Sequence, residues 1–435
     1  MQQHDGNVVH PVESTEQFGK FWLIIGITAL VGLPGVILRL AGIHPDPIIG
    51  AIVFGFAILS AAFLLSWAAE TAEMDISQGL ALAIIAFIAV LPEYAVDLVL
   101  AWQEGLQVKA GEEPSGLAIA NMTGGNRLLI GIGWPLVFLI FFLRTRLREL
   151  IVDRQRSLEM AFLAIATAYV IFIPLRHAVT LIDSIVLVSM FIIYLVFTSR
   201  VESEESELVG PARAMGSLDD RPRRTLVVIA LIYSAIVIFT SAEPFAESLI
   251  EIGHEFGISE FFLIQWLAPL ASESPEILVA SLLAWRGRAN VGMGALISSK
   301  VNQWTLLIGT LPIAFSIAAG QFELTGGLPL DDRQREEIFL TAAQSAFAIA
   351  VFVNLRMNAR EAIALFVLFA TQLFITNEMA RIVYAGLYTV LCIILLIIHR
   401  KDVPVLVRTS TAIMRGKTDE VSEELSARSS APPSG

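Results

Sequence analysis

Two segments of the sequence place a proline and a glutamate side by side in the same pattern. Residues 92–102 and residues 275–285 both read Pro-Glu, then six residues, then Leu-Ala-Trp, and both lie in apolar stretches. A proline within a helix removes one backbone hydrogen bond and clashes with the carbonyl group four residues earlier. Pro92 and Pro275 are therefore predicted to break their helices and to free carbonyl oxygens next to Glu93 and Glu276.

Further acidic residues accompany each glutamate on the same helical face. Asp97 lies one turn after Glu93, and Glu273 lies three residues before Glu276. Carboxylate and carbonyl oxygens that converge on one point are the ligands that hard cations such as Ca²⁺ prefer. Glu93 and Glu276 are therefore the predicted metal ligands. The other candidate cation-binding residues are Asp97, Glu273, Ser272, Ser299, Asn126, Asn302 and Gln303.

Two basic residues, Arg127 and Lys300, lie in the apolar spans that follow the Pro-Glu segments, and we predict that they act as counter-charges. They are expected to pair with surplus carboxylates, or Lys300 takes a place where a second cation would otherwise bind. A structural alternative is that Glu93 and Glu276 only form ion pairs with these two residues, because a charge inside a membrane is costly unless it is paired.

The stretches around these residues are long and apolar enough to cross a membrane. Hydrophobic residues make up 55% of the 435 residues, charged residues 16%, and the mean hydropathy is +0.71. Runs of about 20 apolar residues span the hydrocarbon core of a bilayer. The composition excludes a soluble enzyme and predicts an all-α polytopic membrane protein. About twelve transmembrane helices are predicted, at residues 19–41, 47–69, 78–102, 115–143, 157–175, 178–199, 225–249, 258–285, 290–319, 336–355, 360–376 and 380–399.

The net charge and the cysteine content exclude several kinds of partner and site. The net charge of −12 argues against nucleic acid, which binds basic stripes. Cys392 is the only cysteine, which excludes a disulfide framework and a thiolate metal cluster. No cofactor is predicted. The expected partners are the lipid bilayer and small inorganic cations, with Ca²⁺, Na⁺ or H⁺ as the transported ions, and the oligomeric state stays open.

Basic residues concentrate in alternate loops, which predicts the orientation of the chain. The loops at residues 144–156, 200–224, 286–288 and 356–360 and the tail after residue 400 are basic, so the positive-inside bias places them in the cytoplasm. The loops assigned to the outside carry acidic residues such as Glu104 and Glu112. The loop at residues 70–75 is an exception, because this order places it in the cytoplasm although it is acidic. Both termini are then cytoplasmic, in a plasma (inner) membrane.

The two Pro-Glu helices are the third and the eighth predicted spans, so they enter the membrane from opposite sides. This parity predicts an inverted repeat with a binding site near the bilayer midplane, where the halves meet. The predicted organisation is a polar tail (1–18), an extra first helix with its loop (19–46), a first repeat (47–199), a cytoplasmic linker (200–224), a second repeat (225–376), an extra last helix (377–399) and a disordered cytoplasmic tail (400–435).

These motifs resemble the cation/calcium exchanger superfamily, which includes sodium/calcium and calcium/proton exchangers. Residues 272–276 read Ser-Glu-Ser-Pro-Glu where the second repeat of that family reads T-S-L-P-E, and a segment similar to its G-N-x-x-G-S-N-I-F-[ND] follows. The first half matches at residues 92–93 and 121–126. The resemblance covers roughly residues 47–376. It implies two inverted five-helix units, alternating access, and Glu93 and Glu276 as central Ca²⁺ ligands.

The chain departs from the family pattern at positions on which the sodium sites of the family depend. Residues 89–90 are Ala-Val instead of Thr-Ser, and residues 272–273 are Ser-Glu. The serine of the first G-S pair is Gly125, and the closing polar residue is Leu129 in the first copy and Gln303 in the second. Since closely spaced acids hold protons readily, exchange of Ca²⁺ against Na⁺ and exchange against H⁺ both stay open.

Two other functions stay open on the sequence alone. A monovalent cation/proton (Na⁺/H⁺) antiporter would use the same fold, and the lost ligands together with Lys300 favour it. A non-transporting membrane scaffold or sensor would keep the acidic residues for structure. An enzyme is not expected, because the sequence lacks an H-E-x-x-H zinc motif and the adjacent Ser299 and Lys300 diverge on a helix.

Overall fold

The computed structural model describes residues 15–72, 74–75, 91–199, 208–373 and 377–416, which fold mainly into helices. The helices are α1 (Thr15–Leu40), α2 (Pro47–Ala72), α3 (Leu91–Ala110), α4 (Leu117–Leu128), α5 (Trp134–Thr145), α6 (Ser157–Val170), α7 (Leu181–Thr198), α8 (Pro211–Gly216), α9 (Asp220–Phe256), α10 (Glu260–Trp285), α11 (Ala289–Asn302), α12 (Ile308–Ala319), α13 (Asp332–Val351), α14 (Ala359–Gln372), α15 (Glu378–Ile398) and α16 (Val403–Met414). The four strands are β1 (Glu149–Ile151), β2 (Ala178–Thr180), β3 (Gly327–Pro329) and β4 (Arg356–Asn358).

Within the described ranges, ten helical segments are long and apolar enough to cross a membrane. They correspond to ten of the twelve predicted spans. The predicted span 78–102 begins outside the described residues and continues in α3, and the predicted span 360–376 corresponds to α14, which has 14 residues. The prediction of an all-α polytopic membrane protein is confirmed, and the number of twelve crossings stays a prediction.

Two of the spans widen in the middle through one π-helical turn. The segment Leu129–Gly133 joins α4 to α5, and the segment Gln303–Leu307 joins α11 to α12. A π-helical turn is a rare distortion that is often found at functional sites. Leu129 and Gln303 occupy corresponding positions of the two sequence copies, so the same distortion occurs at the same place in both halves.

Two antiparallel strand pairs connect loops of the first half to loops of the second. β1 pairs with β4, with Leu150 opposite Met357, and β2 pairs with β3, with Val179 opposite Leu328. The charge pattern assigns the β1 and β4 loops to the cytoplasm and the β2 and β3 loops to the outside. Each ladder therefore joins loops that are predicted to lie on the same side of the membrane.

The helices that carry the Pro-Glu segments lie inside the bundle, and the first and last long helices lie at its periphery. α3 packs against α12, and α10 packs against α4 and α11. In contrast, only 11% of the most apolar window of α1 and of α15 is buried by protein. Their exposed apolar side chains can face lipid, which agrees with their predicted position as extra helices at the ends of the chain.

The linker between the halves is folded where the structure describes it. In α8, Ala212 and Met215 pack against Trp67 of α2. Next to them, the carboxylate of Asp75 forms ion pairs of 2.7 Å with Arg223 and 2.9 Å with Arg224. The acidic loop after α2 therefore lies against the basic loop before α9, which accounts for the exception in the predicted charge pattern.

The C-terminal tail begins with a helix. α16 covers residues that the sequence analysis assigned to a disordered tail starting at residue 400. The hydroxyl of Ser410 donates a 2.7 Å hydrogen bond to the carbonyl of Ser157, and Ile413 is buried. The prediction of disorder is therefore wrong for residues 403–414, because this segment finds a packing surface at the start of α6.

Candidate functional site

The two Pro-Glu segments lie on neighbouring helices. Pro92 and Glu93 are in the first described turn of α3, where Glu93 is 4% exposed, and Glu276 is half-buried in α10. α10 continues through Pro275, so the predicted break is a missing hydrogen bond within an uninterrupted helix. The residues before Leu91 lie outside the described ranges, so the break predicted at Pro92 stays a prediction.

One turn of helix holds both glutamates. The hydroxyl of Ser299 donates a 2.5 Å hydrogen bond to Glu276 Oε2, and Gln303 Nε2 donates a 3.2 Å hydrogen bond to Glu93 Oε2. Ser299 and Gln303 are four residues apart at the junction of α11 and its π-helical turn, so their side chains share one face. The structure thus brings Glu93 of the first half together with Glu276, Ser299 and Gln303 of the second.

Glu273 adds a further carboxylate, in space that Gly125 leaves free. Glu273 is 1% exposed, and neither of its carboxylate oxygens has a hydrogen-bond partner among the described residues. A Cβ atom at residue 125 would collide with Glu273 Oε1 and would stand 3.6 Å from Glu93 Oε1. The absence of a side chain at Gly125 therefore lets the Glu273 carboxylate approach α4, while Glu93 would be in ordinary contact with a Cβ atom there.

Asp97 completes a cluster of four acidic residues. Asp97 is fully buried, and Asn121 Nδ2 donates a 2.9 Å hydrogen bond to its Oδ1. The charges of Glu273, Asp97 and Glu276 all act on the carboxylate of Glu93. Since like charges repel strongly where water is excluded, the cluster requires cations or protons to balance it.

Lys300 lies at the edge of the cluster and makes its hydrogen bonds to α4. Its ammonium group is fully buried and donates to the side-chain oxygen of Asn126 and, at 3.3 Å, to the carbonyl oxygen of the same residue. It also lies 4.3 Å from the centre of the Trp304 ring. Glu273 and Glu93 are close enough to attract its charge. Lys300 and Asn126 occupy corresponding positions in the two sequence copies.

Two predicted site residues are directed away from the cluster. Arg127 forms a 2.7 Å ion pair with Glu337 of α13 and lies 5.0 Å from the centre of the Trp266 ring, so its counter-charge is Glu337. The hydroxyl of Ser272 donates to the carbonyl of Ala268 in its own helix, at 3.3 Å. Its polar atom therefore satisfies the backbone of α10 and makes no hydrogen bond to the acidic cluster.

The structure adds three residues that were not among the predicted site residues. The hydroxyl of Tyr94 donates a 2.9 Å hydrogen bond to Asn302 Oδ1, and Asn121 holds Asp97. Glu104 was assigned to an outer loop but is fully buried in α3, where its Oε1 accepts a 2.8 Å hydrogen bond from the backbone of Ala118 at the start of α4. Glu104 lies seven residues, or about two helical turns, after Asp97, so the two side chains share one face of the helix. This spacing was the sequence signal that Glu104 is buried.

The cluster offers oxygen ligands of several kinds. Within the described ranges, no three His, Cys, Asp or Glu side chains converge as a preformed metal site. The hydroxyl of Ser299 and the amide of Gln303 lie beside the carboxylates. A hard cation would therefore be held by carboxylates together with neutral oxygen atoms, after small movements of these side chains.

Comparison with known proteins identifies relatives along most of the chain. A family model described as "Sodium/calcium exchanger protein" matches residues 47–200 and 226–377. A crystal structure described as the H⁺/Ca²⁺ exchanger CAX is 42% identical, covers 92% of this chain and 99% of its own chain, and superposes with a TM-score of 0.87.

More distant relatives share the fold. Native YfkE is 16% identical, covers 81% of this chain and 98% of its own, and has a TM-score of 0.59. The sodium-calcium exchanger NCX_Mj, soaked with 100 mM Na⁺ and 10 mM Sr²⁺, is 18% identical, covers 76% and 98%, and has a TM-score of 0.51. The antiporter CaxA of Alkalimonas amylolytica is 24% identical over 105 residues, which are 24% of this chain and 33% of that relative.

Proposed function

The chain belongs to the sodium/calcium exchanger protein family, and on this premise we propose that it is a secondary antiporter that exchanges Ca²⁺ for protons. The observation that carries the proposal is the cluster of four acidic residues with one lysine beside it. The relative that is 42% identical over nearly its whole length is described as an H⁺/Ca²⁺ exchanger, and the residues of this chain are suited to the same pair of ions.

Glu93 and Glu276 are the proposed main ligands of Ca²⁺. One comes from each half, and Gln303 and Ser299 hold them on one side of α11. Glu273 and Asp97 are part of the same cluster, and each would add a carboxylate oxygen after a movement of its side chain. Calcium accepts six to eight oxygen ligands in flexible geometry, so such a mixed set can close around it without a rigid preformed cage.

Protons are the proposed exchange partners because the empty cluster cannot keep all its negative charges. When Ca²⁺ leaves, neighbouring carboxylates in a site with little water favour the neutral, protonated form. Lys300 places its amino group at the position that Asn126 occupies in the first half, and it takes the place where a second cation would otherwise bind. The first copy has Leu129 at its closing position, which offers no ligand to Na⁺.

Alternating access is the proposed transport mechanism. The acidic cluster lies where the two halves meet, and movement of one group of helices against the other would open it to each side in turn.

We also propose that the protein lies in a plasma membrane with both termini in the cytoplasm. The basic loops support this orientation, and the β1–β4 and β2–β3 pairings agree with the assignment of each pair of loops to one side.

Ion flux in proteoliposomes tests the proposal. The wild-type chain should take up Ca²⁺ when the interior is acidic, and a sodium gradient at constant pH should not drive uptake. Glu276→Gln and Glu93→Gln should both reduce uptake to the background, because each removes one negative charge from the ligand set. Uptake driven by sodium alone would contradict proton coupling, and Na⁺ movement without Ca²⁺ movement would favour a Na⁺/H⁺ antiporter.

A matched control is Glu260→Gln. Glu260 lies in the same helix as Glu276, but its carboxylate is partly exposed and contacts His254 at 3.1 Å. This variant should transport at the wild-type rate. If Glu93→Gln and Glu276→Gln insert normally and also transport at that rate, the assignment of the ligands is wrong.

A further inference from the structure

A polar cavity lies among the helices near Arg127, apart from the acidic cluster. It is lined by residues of α10, α13, α14 and α15, and three arginines contribute to its wall: Arg127, Arg333 and Arg381. The charge pattern places the start of α13 and the start of α15 on the outer side of the membrane. The cavity therefore lies between the outer ends of these helices and Arg127 in α4.

The charges of the cavity wall do not balance. Arg127 pairs with Glu337 at 2.7 Å, and Arg381 pairs with Glu336 at 2.7 Å. Arg333 lies 3.7 Å from the centre of the Phe261 ring, and its Nε has no hydrogen-bond partner among the described residues. Among the described residues, the ion pairs of these guanidinium groups use two carboxylates, those of Glu336 and Glu337.

The next carboxylate along α13 belongs to Asp331 and is engaged at the start of that helix. Asp331 is exposed and caps the first turn of α13, where it accepts a 2.6 Å hydrogen bond from the backbone of Gln334. Arg333 is partly exposed, and a positive charge that is partly shielded from water is stabilised by a nearby anion. An anion inside the cavity would balance this charge.

Gln372 shows that a hydrogen-bonding partner is also needed there. Its side chain lines the cavity and is 6% exposed, and within the described ranges neither its amide nitrogen nor its amide oxygen has a partner. Buried polar groups in proteins almost always have one. An anion accepts hydrogen bonds from both guanidinium and amide N–H groups, so one ligand would serve Arg333 and Gln372 together.

We propose that this cavity binds one small anionic group, either a chloride ion or the phosphate of an anionic lipid. The cavity volume is small, about 20 Å³, and the cavity is partly open to the surface, so it admits one small group. Because the wall carries an excess positive charge, it disfavours cations and stands apart from the cation site. The proposal does not depend on which ions the protein exchanges.

Thermal unfolding of the purified full-length protein tests the proposal, because a ligand that binds the folded state raises the unfolding midpoint. Chloride is titrated against gluconate at constant ionic strength, without Ca²⁺. In a second arm, nanodiscs of phosphatidylcholine are compared with nanodiscs that contain phosphatidylglycerol. Arg333→Gln removes the arginine that lacks a carboxylate partner, and it should weaken the apparent anion affinity about tenfold or more, as loss of a charged hydrogen bond does.

Arg335→Gln is the matched control. Arg335 lies two residues away in α13, but it donates to the carbonyl of Pro174 and pairs with Asp332. A saturable rise with chloride identifies a free anion, and a rise only with phosphatidylglycerol identifies a lipid, provided that Arg333→Gln weakens it and Arg335→Gln does not. No rise in either arm, or an equal loss in both variants, would overturn the proposal. Gln372→Leu serves as a second variant if Arg333→Gln does not fold.

Discussion

Gly125 and Glu273 are coupled by the space they share. The family pattern has a serine at each of these positions, and this chain has a glycine at one and a glutamate at the other. The carboxylate of Glu273 occupies the volume that a side chain at residue 125 would need. The two substitutions relative to the family pattern therefore compensate each other. The serine hydroxyls expected on α4 and α10 are replaced by one carboxylate, that of Glu273, which lies between the two helices.

The variant Gly125→Ser should destabilise the protein and displace Glu273. Overpacking of a buried site costs about 1–3 kcal/mol, so the unfolding midpoint should fall and proton-driven Ca²⁺ uptake should decrease. The double variant Gly125→Ser/Glu273→Ser restores a small residue at position 273, and its unfolding midpoint should return towards the wild-type value. A double variant that is less stable than Gly125→Ser alone would show that the two positions are not coupled in this way.

At the scale of elements, an ion pair fastens the linker to the end of α2. Hydrogen bonds from Arg223 lower the pKa of the Asp75 carboxyl from its ordinary value of 3.8 to about 2. Because the pKa is lower in the folded state than in the unfolded chain, this group stabilises the folded state fully above pH 3.8. The stabilisation is lost as the pH falls from 3.8 through about 2.

The variant Asp75→Asn should therefore unfold at a lower temperature than the wild type at neutral pH. The difference between the two midpoints should shrink between pH 3.8 and pH 2, since the wild-type carboxyl is then protonated as well. Asp220→Asn is the control, because Asp220 also contacts Arg223 at 2.8 Å but is 72% exposed. A difference that stays constant over this pH range would show that the charge of Asp75 is not what stabilises the linker.

The elements could be predicted from hydropathy, but several contacts between them could not. Apolar length indicated the spans, since α2 is a 26-residue, mostly apolar helix that is long enough to cross the bilayer. The pattern of Glu93, Glu276, Ser299 and Gln303 also indicated residues that the structure places together. Arg127 was misassigned because its partner, Glu337, is 210 residues away in the sequence and belongs to a helix with no recognised motif. Likewise, the polar composition of the tail gave no sign that Ser410 packs on α6.

At the scale of the whole molecule, contacts between loops agree with the predicted sides of the membrane. Asp75 meets Arg223, Ser410 meets Ser157, and β1 meets β4, all between loops assigned to the cytoplasm. On the other side, β2 meets β3 and Arg335 donates to the carbonyl of Pro174, both between loops assigned to the outside. Since loops on opposite sides of a bilayer cannot touch, these contacts support the predicted order of spans, in which four crossings separate the two Pro-Glu helices and the helices enter the membrane from opposite sides.

Labelling of single cysteines should reveal the same division. In a Cys392→Ser background, a membrane-impermeant maleimide added to intact cells should label Glu112→Cys and Gln321→Cys, which are exposed in loops assigned to the outside. It should label Arg221→Cys and Lys401→Cys, which are exposed on the other side, only after the membrane is permeabilised. Labelling of Glu112→Cys and Lys401→Cys from the same side would require an even number of crossings between them, whereas the predicted order of spans has nine. The predicted order of spans would then be wrong. The two Pro-Glu helices would no longer be predicted to enter from opposite sides, and the inverted repeat would lack support.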